Sequence, residues 1–404
     1  VFQGRADIDS RLIERLNDGS LVIPRPEKPD IVDLVRVLAS ALGVEGYRIH
    51  PALEWMPDWI GDCRNIVFVL VDGLGMNVVG KMPADSFISS QWKGELLSTV
   101  PSTTASAIAS LGTAMRPAQH AVPGWFTYLP DFGITTTILP FVERYTGVPL
   151  QERGIHGADV FTQTSWLDRI IGRAATIQPE RYYDGVFARF IRGGTQGIGY
   201  TTLSDAIDKA VKHVAGSGER SYAFLYIPHL DTVSHIVGPM HDEVLSMAHT
   251  IDAELSRLAS LLDGNARIIV SADHGQILVP HDNQIELYDG DPMLDILDVP
   301  PTGEGRLPMF HVAGEKRAAF ETMFADRFGD RFVLLEINEV EQMDLLGPGP
   351  MTPVAKARFG QFLAVPLENH TLDYLPPTIP PRSSPIGRHG ALSRAEMLVP
   401  LIAS

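Results

Sequence analysis

The sequence predicts an α/β fold: a mostly parallel central sheet flanked by helices, with a small inserted α+β cap. Three features predict it. First, three short apolar runs rich in branched residues each lead into an acidic or His-containing loop: Asn65–Val71 before Asp72, 222–227 before Asp231, and Arg267–Ser271 before Asp273. Runs without polar alternation read as strands buried on both faces. Second, helical periodicity lies between them, as in 243–262, and supplies the crossovers that a parallel sheet requires. Third, the texture changes over 276–384, with proline-rich joints at Pro300, Pro301, Pro376, Pro377, Pro380 and Pro381. Within that stretch 316–341 reads as helix then strand, with Phe320, Met323, Phe324 and Phe328 followed by the apolar run 332–337. The expected organisation is an α/β core over 5–275 and 385–404, an inserted cap over 276–384, and a cleavage remnant at 1–4.

Composition narrows the partners. With 404 residues and 45% hydrophobic content the chain can bury a large core. Its 49 acidic and 33 basic residues give a formal charge of -16, which opposes binding to a nucleic-acid duplex but leaves small anions open. No apolar run approaches the ~18 residues of a membrane span, so no membrane partner is expected. The single cysteine, Cys63, has no internal partner, and a cytoplasmic location is expected. Oligomeric state is not legible.

In a parallel sheet, ligands collect beyond the carboxyl ends of the strands, where the polar residues of the three runs fall. In YIPHLDTVSHIVGP, Asp231 and His235 are four apart, a spacing that brings both to one face of a helical turn, where they can share a metal. In SADHG, Asp273 and His274 are adjacent and can act together only if the chain leaves the sheet, which Gly275 permits. In VDGLG, Asp72 ends a strand, and Gly73 and Gly75 allow a tight turn and close backbone approach. In VPSTTASAIASLGTAM, the hydroxyls of Ser102, Thr103 and Thr104 open an Ala-rich helix. A hydroxyl there caps free amides, and the helix start also favours a phosphate. Direct metal coordination would turn one of these hydroxyls into a nucleophile.

In chain order these motifs resemble the alkaline phosphatase superfamily, and within it the nucleotide pyrophosphatase/phosphodiesterase branch. The resemblance spans 65–275 and returns at GRHG around His389. It implies an alkaline-phosphatase-like sheet and two divalent metals, zinc with manganese as the alternative. One metal would be held by Asp231, His235 and His389, the other by Asp72, Asp273, His274 and the Thr104 oxygen. Among the competing hydroxyls, the family frame of Thr113, Ala114, Pro117, His120 and Gly124 selects Thr104, with Thr103 as the fallback, and makes His120 structural. Thr104 would displace the leaving alcohol to form a phospho-threonine, which water then hydrolyses.

Two positions depart from the family pattern. Where an Asn usually follows the matched glycine and binds a phosphate oxygen, this chain has Trp125, so backbone amides or a cap residue must replace that contact. Where an aromatic usually follows the nucleophile, it has Ala105; Trp125, Phe126 and Tyr128 offer a stacking surface for substrate instead. The remaining histidines read as surface or packed residues, though His229 and His281 lie close enough in sequence to the metal motifs to be candidates for orienting the ligands. The implied substrate is a small phosphorylated molecule, a nucleotide or a cyclic dinucleotide such as cyclic di-AMP. A phosphomonoesterase or phosphonate hydrolase is the alternative, and an inactive nucleotide-binding sensor is the reading from another class.

Overall fold

The computed structural model describes residues 9–215, 218–377, 379 and 384–404. Residues 1–4 and the joints at Pro380 and Pro381 lie outside the described residues. The α/β expectation is met by a seven-stranded sheet: β1 Asn65–Val71, β2 Trp92–Leu97, β3 Arg173–Pro179, β4 Gln196–Tyr200, β5 Ser221–Ile227, β6 Arg267–Ser271 and β7 Leu398–Ala403. Its spatial order is β2-β7-β6-β1-β5-β3-β4. β1 is central and pairs in parallel with β5 and β6, and β3 is parallel to β4 and β5. Only β7 runs against its neighbours, β6 and β2.

The three runs form adjacent strands because none of them has a polar face to offer to water. Every residue of β5, and every residue of β1 after Asn65, is buried. The helices that matter to the site are α1 Thr104–Thr113, α2 Leu203–Ala215, α3 His229–Val237 and α4 Asp242–Leu262. α2 connects β4 to β5, while α3 and α4 connect β5 to β6, so helical crossovers join these parallel strands as the periodicity requires. Among the described residues, no helix is long and apolar enough to cross a membrane.

A second seven-stranded sheet is antiparallel throughout. Four of its strands, Val299–Glu304, Leu307–His311, Phe332–Glu336 and Phe362–Pro366, come from the segment expected to form the cap. The other three, Phe126–Leu129, Ile134–Thr137 and Val142–Glu143, come from the preceding half of the chain and join through the pairing of Phe126 with Gly303. Helix α5, Arg317–Phe328, buries Phe320, Phe324 and Phe328 against Phe310, Phe332 and Phe362 of this sheet. The turn between Val299–Glu304 and Leu307–His311 carries Arg306. Its guanidinium meets the buried Glu396 carboxylate in two hydrogen bonds, 2.8 and 3.1 Å. Glu396 also accepts from the Ala391 amide at 3.0 Å, which ties the second sheet to the loop that bears His389.

Candidate metal centre

The site assembles where β1, β5 and β6 end. Asp72 stays in register one residue beyond β1 through its amide bond to the Ile227 carbonyl. Gly73 then turns the chain at φ 77°, and a Cβ there would stand 3.0 Å from the Asp231 Cα. Beyond β5 the chain passes Pro228 into α3, whose first turns place Asp231 and His235 on one face, with Nε2 of His235 3.3 Å from Asp231 Oδ1. After β6 the chain leaves the sheet, as the adjacent Asp273 and His274 require. Asp273 Oδ1 accepts the amide hydrogens of Gly73 and His274 at 3.2 and 3.0 Å, and this turns its Oδ2 to within 3.4 Å of His274 Nε2. Gly275 is needed for space, since a Cβ there would lie 2.0 Å from the Ala395 carbonyl oxygen.

The three competing hydroxyls face different ways. Ser102 donates to the Ala391 carbonyl at 2.7 Å, and Thr103 donates to Glu304 Oε1 at 2.6 Å. Thr104, the first residue of α1, directs its Oγ1 into the cluster, 3.1 Å from His274 Nε2 and 3.5 Å from Asp72 Oδ2. His389 arrives from the far end of the chain and stacks on His274 with ring centroids 3.7 Å apart; its Nε2 is 3.8 Å from Asp231 Oδ1.

All seven residues named from the motifs therefore come together. Two groups have ligand atoms within 4.8 Å of one another: Asp72, Asp273 and His274, and Asp231, His274 and His389. His274 belongs to both, and His235 stands beside Asp231 at the edge of the second. Burial, followed by the charges of Asp231 and Asp273, pushes the Asp72 carboxyl well above its ordinary range, and burial also raises Asp273. Burial, with His274 and His235 nearby, holds His389 well below the usual imidazole value. Crowded carboxylates beside an imidazole that resists protonation are the pattern a cation relieves. Asp72 Oδ1 and Asp273 Oδ2, both buried, have no hydrogen-bond partner among the described residues, so the most enclosed acceptors are free to ligate.

The imidazoles are oriented by backbone carbonyls rather than by His229 or His281. The Nδ1 atoms of His235, His389 and His274 donate to the carbonyls of Gly387, Ser102 and Gly275 at 2.7, 3.2 and 3.1 Å. This leaves Nε2 of each as the acceptor that a metal needs. His229 stacks instead on Tyr200. His120, expected to be structural, is buried and bonds Ser110 and the Val122 amide.

Three further residues were not anticipated. Tyr226 donates to Asp72 Oδ2, and the Gln276 side-chain amide donates to Asp231 Oδ1. Glu304, from the second sheet, accepts at Oε1 both the Thr103 hydroxyl and, at 2.7 Å, the Trp125 amide. Burial raises the Glu304 carboxyl to about 7. Trp125 is 40% exposed, whereas Phe126 packs under the Arg144 guanidinium and Tyr128 against His311. In the sequence Tyr226 looks like any packing aromatic. Only the position of Gln276, two residues after His274, was a signal.

Comparison with known proteins agrees with this architecture. Murine ectonucleotide pyrophosphatase / phosphodiesterase 5 superposes with a TM-score of 0.62 at 17% identity, covering 84% of this chain and 87% of that one. The same protein in an inactive form in complex with AMP gives the same values. Phosphonoacetate hydrolase from Sinorhizobium meliloti, in complex with phosphonoacetate, gives 0.56 at 18% identity, covering 83% and 89%. At these identities the likeness establishes the fold, an alkaline-phosphatase-like α/β architecture. No curated protein matches in sequence. The family model described as type I phosphodiesterase / nucleotide pyrophosphatase matches residues 66–322. The chain belongs to the type I phosphodiesterase / nucleotide pyrophosphatase family, a branch of the alkaline phosphatase superfamily.

Proposed function

We propose that this chain is a metal-dependent phosphodiesterase that cleaves nucleotide phosphodiester or pyrophosphate bonds through a phospho-threonine on Thr104. The observation that carries the proposal is the position of Thr104 Oγ1 beside His274 and Asp72, while the neighbouring hydroxyls are bonded elsewhere. Asp231, His235 and His389 would hold one divalent metal, and Asp72, Asp273, His274 and Thr104 the other. Nitrogen and oxygen donors without thiolate, together with the two unpartnered carboxylate oxygens, suit zinc, with manganese as the alternative. When bound, such ions lower the pKa of a coordinated hydroxyl and neutralise phosphoryl charge.

The residues of the chain divide the remaining work. α1 presents Thr104 at its first turn, where free amides and the helix dipole favour an anionic phosphoryl group. The Thr104 oxygen forms a bond to phosphorus as the bond to the leaving oxygen breaks. Water then displaces Thr104, and two in-line displacements retain configuration. Trp125, which is exposed, is the proposed contact for the substrate's organic group. A nucleotide substrate is supported by the AMP complex of the murine relative, and cyclic di-AMP is the most specific form of this reading. The cytoplasmic location rests on the single cysteine.

Thr104→Ala tests the mechanism. Turnover should fall by at least about a thousandfold while metal content is unchanged, because only the covalent step is removed. Turnover near wild type rules the mechanism out. A panel of mono-, di- and cyclic nucleotides with metal analysis then assigns the substrate. The likeness to phosphonoacetate hydrolase supports a second reading, a phosphonate or monoester substrate on the same site. Release of phosphate from a phosphonate faster than from any diester would favour it.

A further inference from the structure

We infer that Glu304 is a specificity-determining residue that turns the site against doubly charged phosphate monoesters and towards singly charged diesters. The inference rests on Thr104 as the attacking group. Glu304 sits at the end of Val299–Glu304, and three contacts place it beside the nucleophile. Its Oε1 accepts from the hydroxyl of Thr103, the residue immediately before Thr104, at 2.6 Å. The same oxygen accepts from the Trp125 amide at 2.7 Å. Its Cβ abuts Gly390, the residue immediately after His389, so closely that a Cβ on Gly390 would lie 2.8 Å away. Glu304 thus lies among the segments that carry the proposed nucleophile, one metal ligand and the Trp125 contact. None of these neighbours is a cation bonded to it.

Two donors on one oxygen fix the carboxyl in place. A phosphoryl group in attack position stands about 3–3.5 Å from Thr104 Oγ1, and Glu304 is bonded to the residue next to Thr104 in the chain. A diester has an esterified oxygen that can face Glu304 without charge. A monoester dianion has no such oxygen, and every way of seating it brings a second negative charge towards a carboxylate held in a partly enclosed site. Repulsion of this kind depends on the total charge of the substrate and not on its leaving group.

The matched pair p-nitrophenyl phosphate and methyl p-nitrophenyl phosphate shares a leaving group and differs in one ester. With the metal-loaded full chain at alkaline pH, where the Glu304 carboxyl is ionised, Glu304→Gln should lower the diester-to-monoester ratio of kcat/KM. The expected change is about tenfold or more, through a gain on the monoester. Glu304→Asp should keep most of the wild-type preference. Equal effects of Glu304→Gln on both substrates overturn the inference, since a merely structural role predicts that result. If the Gln variant does not fold, Glu304→Asp against Glu304→Ser makes the same comparison, and equal ratios in those two variants overturn it as well. Failure here is distinct from failure of the mechanism, which is judged by whether Thr104→Ala retains turnover.

Discussion

Tyr226 shows how one hydroxyl selects which oxygen of Asp72 remains open. By donating to Oδ2 it leaves the buried Oδ1 without a partner. Tyr226→Phe removes that donor and little volume, so divalent-metal affinity should fall about 10–100-fold with the fold intact. Zinc titration of the metal-free variant, read by calorimetry, checks this, and an unchanged affinity contradicts it. His120 gives a separate residue-scale prediction, for stability. Burial lowers its pKa from 6.5 to about 3. The unfolded chain therefore takes up a proton below its ordinary value that the native state refuses. Stability should be unaffected by this group above pH 6.5 and should fall as pH drops towards 3. Denaturant unfolding of His120→Gln, compared with wild type across that range, isolates this part of the acid sensitivity. The residues that the sequence reveals most readily, Asp72, Asp231, Asp273 and His274, follow directly on strand-like runs. Glu304 was not visible, because its partner Thr103 is 201 residues away and no local pattern links the two.

At the scale of elements, each motif works because its backbone ends a strand in a different way. After β5 the chain becomes helical at once, so the four-residue spacing brings Asp231 and His235 together. After β6 it turns without forming a helix, and the Asp273 carboxylate holds the turn by accepting two amides. Gly275 completes that turn against the Ala395 carbonyl. Gly275→Ala should destabilise the protein by about 1–3 kcal/mol or more, because backbone and not a flexible side chain opposes the added methyl group. Thermal unfolding would measure it, and an unchanged midpoint would mean that the loop bearing Ala395 yields freely. Three strands of the central sheet, β1, β5 and β6, were legible because unbroken apolar runs of this length have few other fates. The strands Phe126–Leu129 and Ile134–Thr137 were not, since they are short and their threonines carry no alternating pattern.

On the scale of the whole molecule, the second sheet joins segments far apart in the chain, and such pairing leaves no local trace. One of its links to the centre is the Arg306–Glu396 pair. The Arg306 guanidinium keeps the buried Glu396 carboxyl below its ordinary range, so the pair contributes stability above that range and loses it as pH falls through the lowered value. Arg306→Met strands a buried carboxylate and should cost about 3–5 kcal/mol at neutral pH. Denaturant unfolding would show the loss, and weaker metal binding should accompany it if the His389 loop is held by this contact. β7 has a consequence for biosynthesis. It lies between β6 and β2, and His389 precedes it, 287 residues beyond Ser102. A ribosome delivers Asp72, Thr104, Asp231 and Asp273 long before the histidine and the strand that complete their surroundings. During synthesis, the acidic cluster therefore stays incomplete until His389 and β7 have emerged.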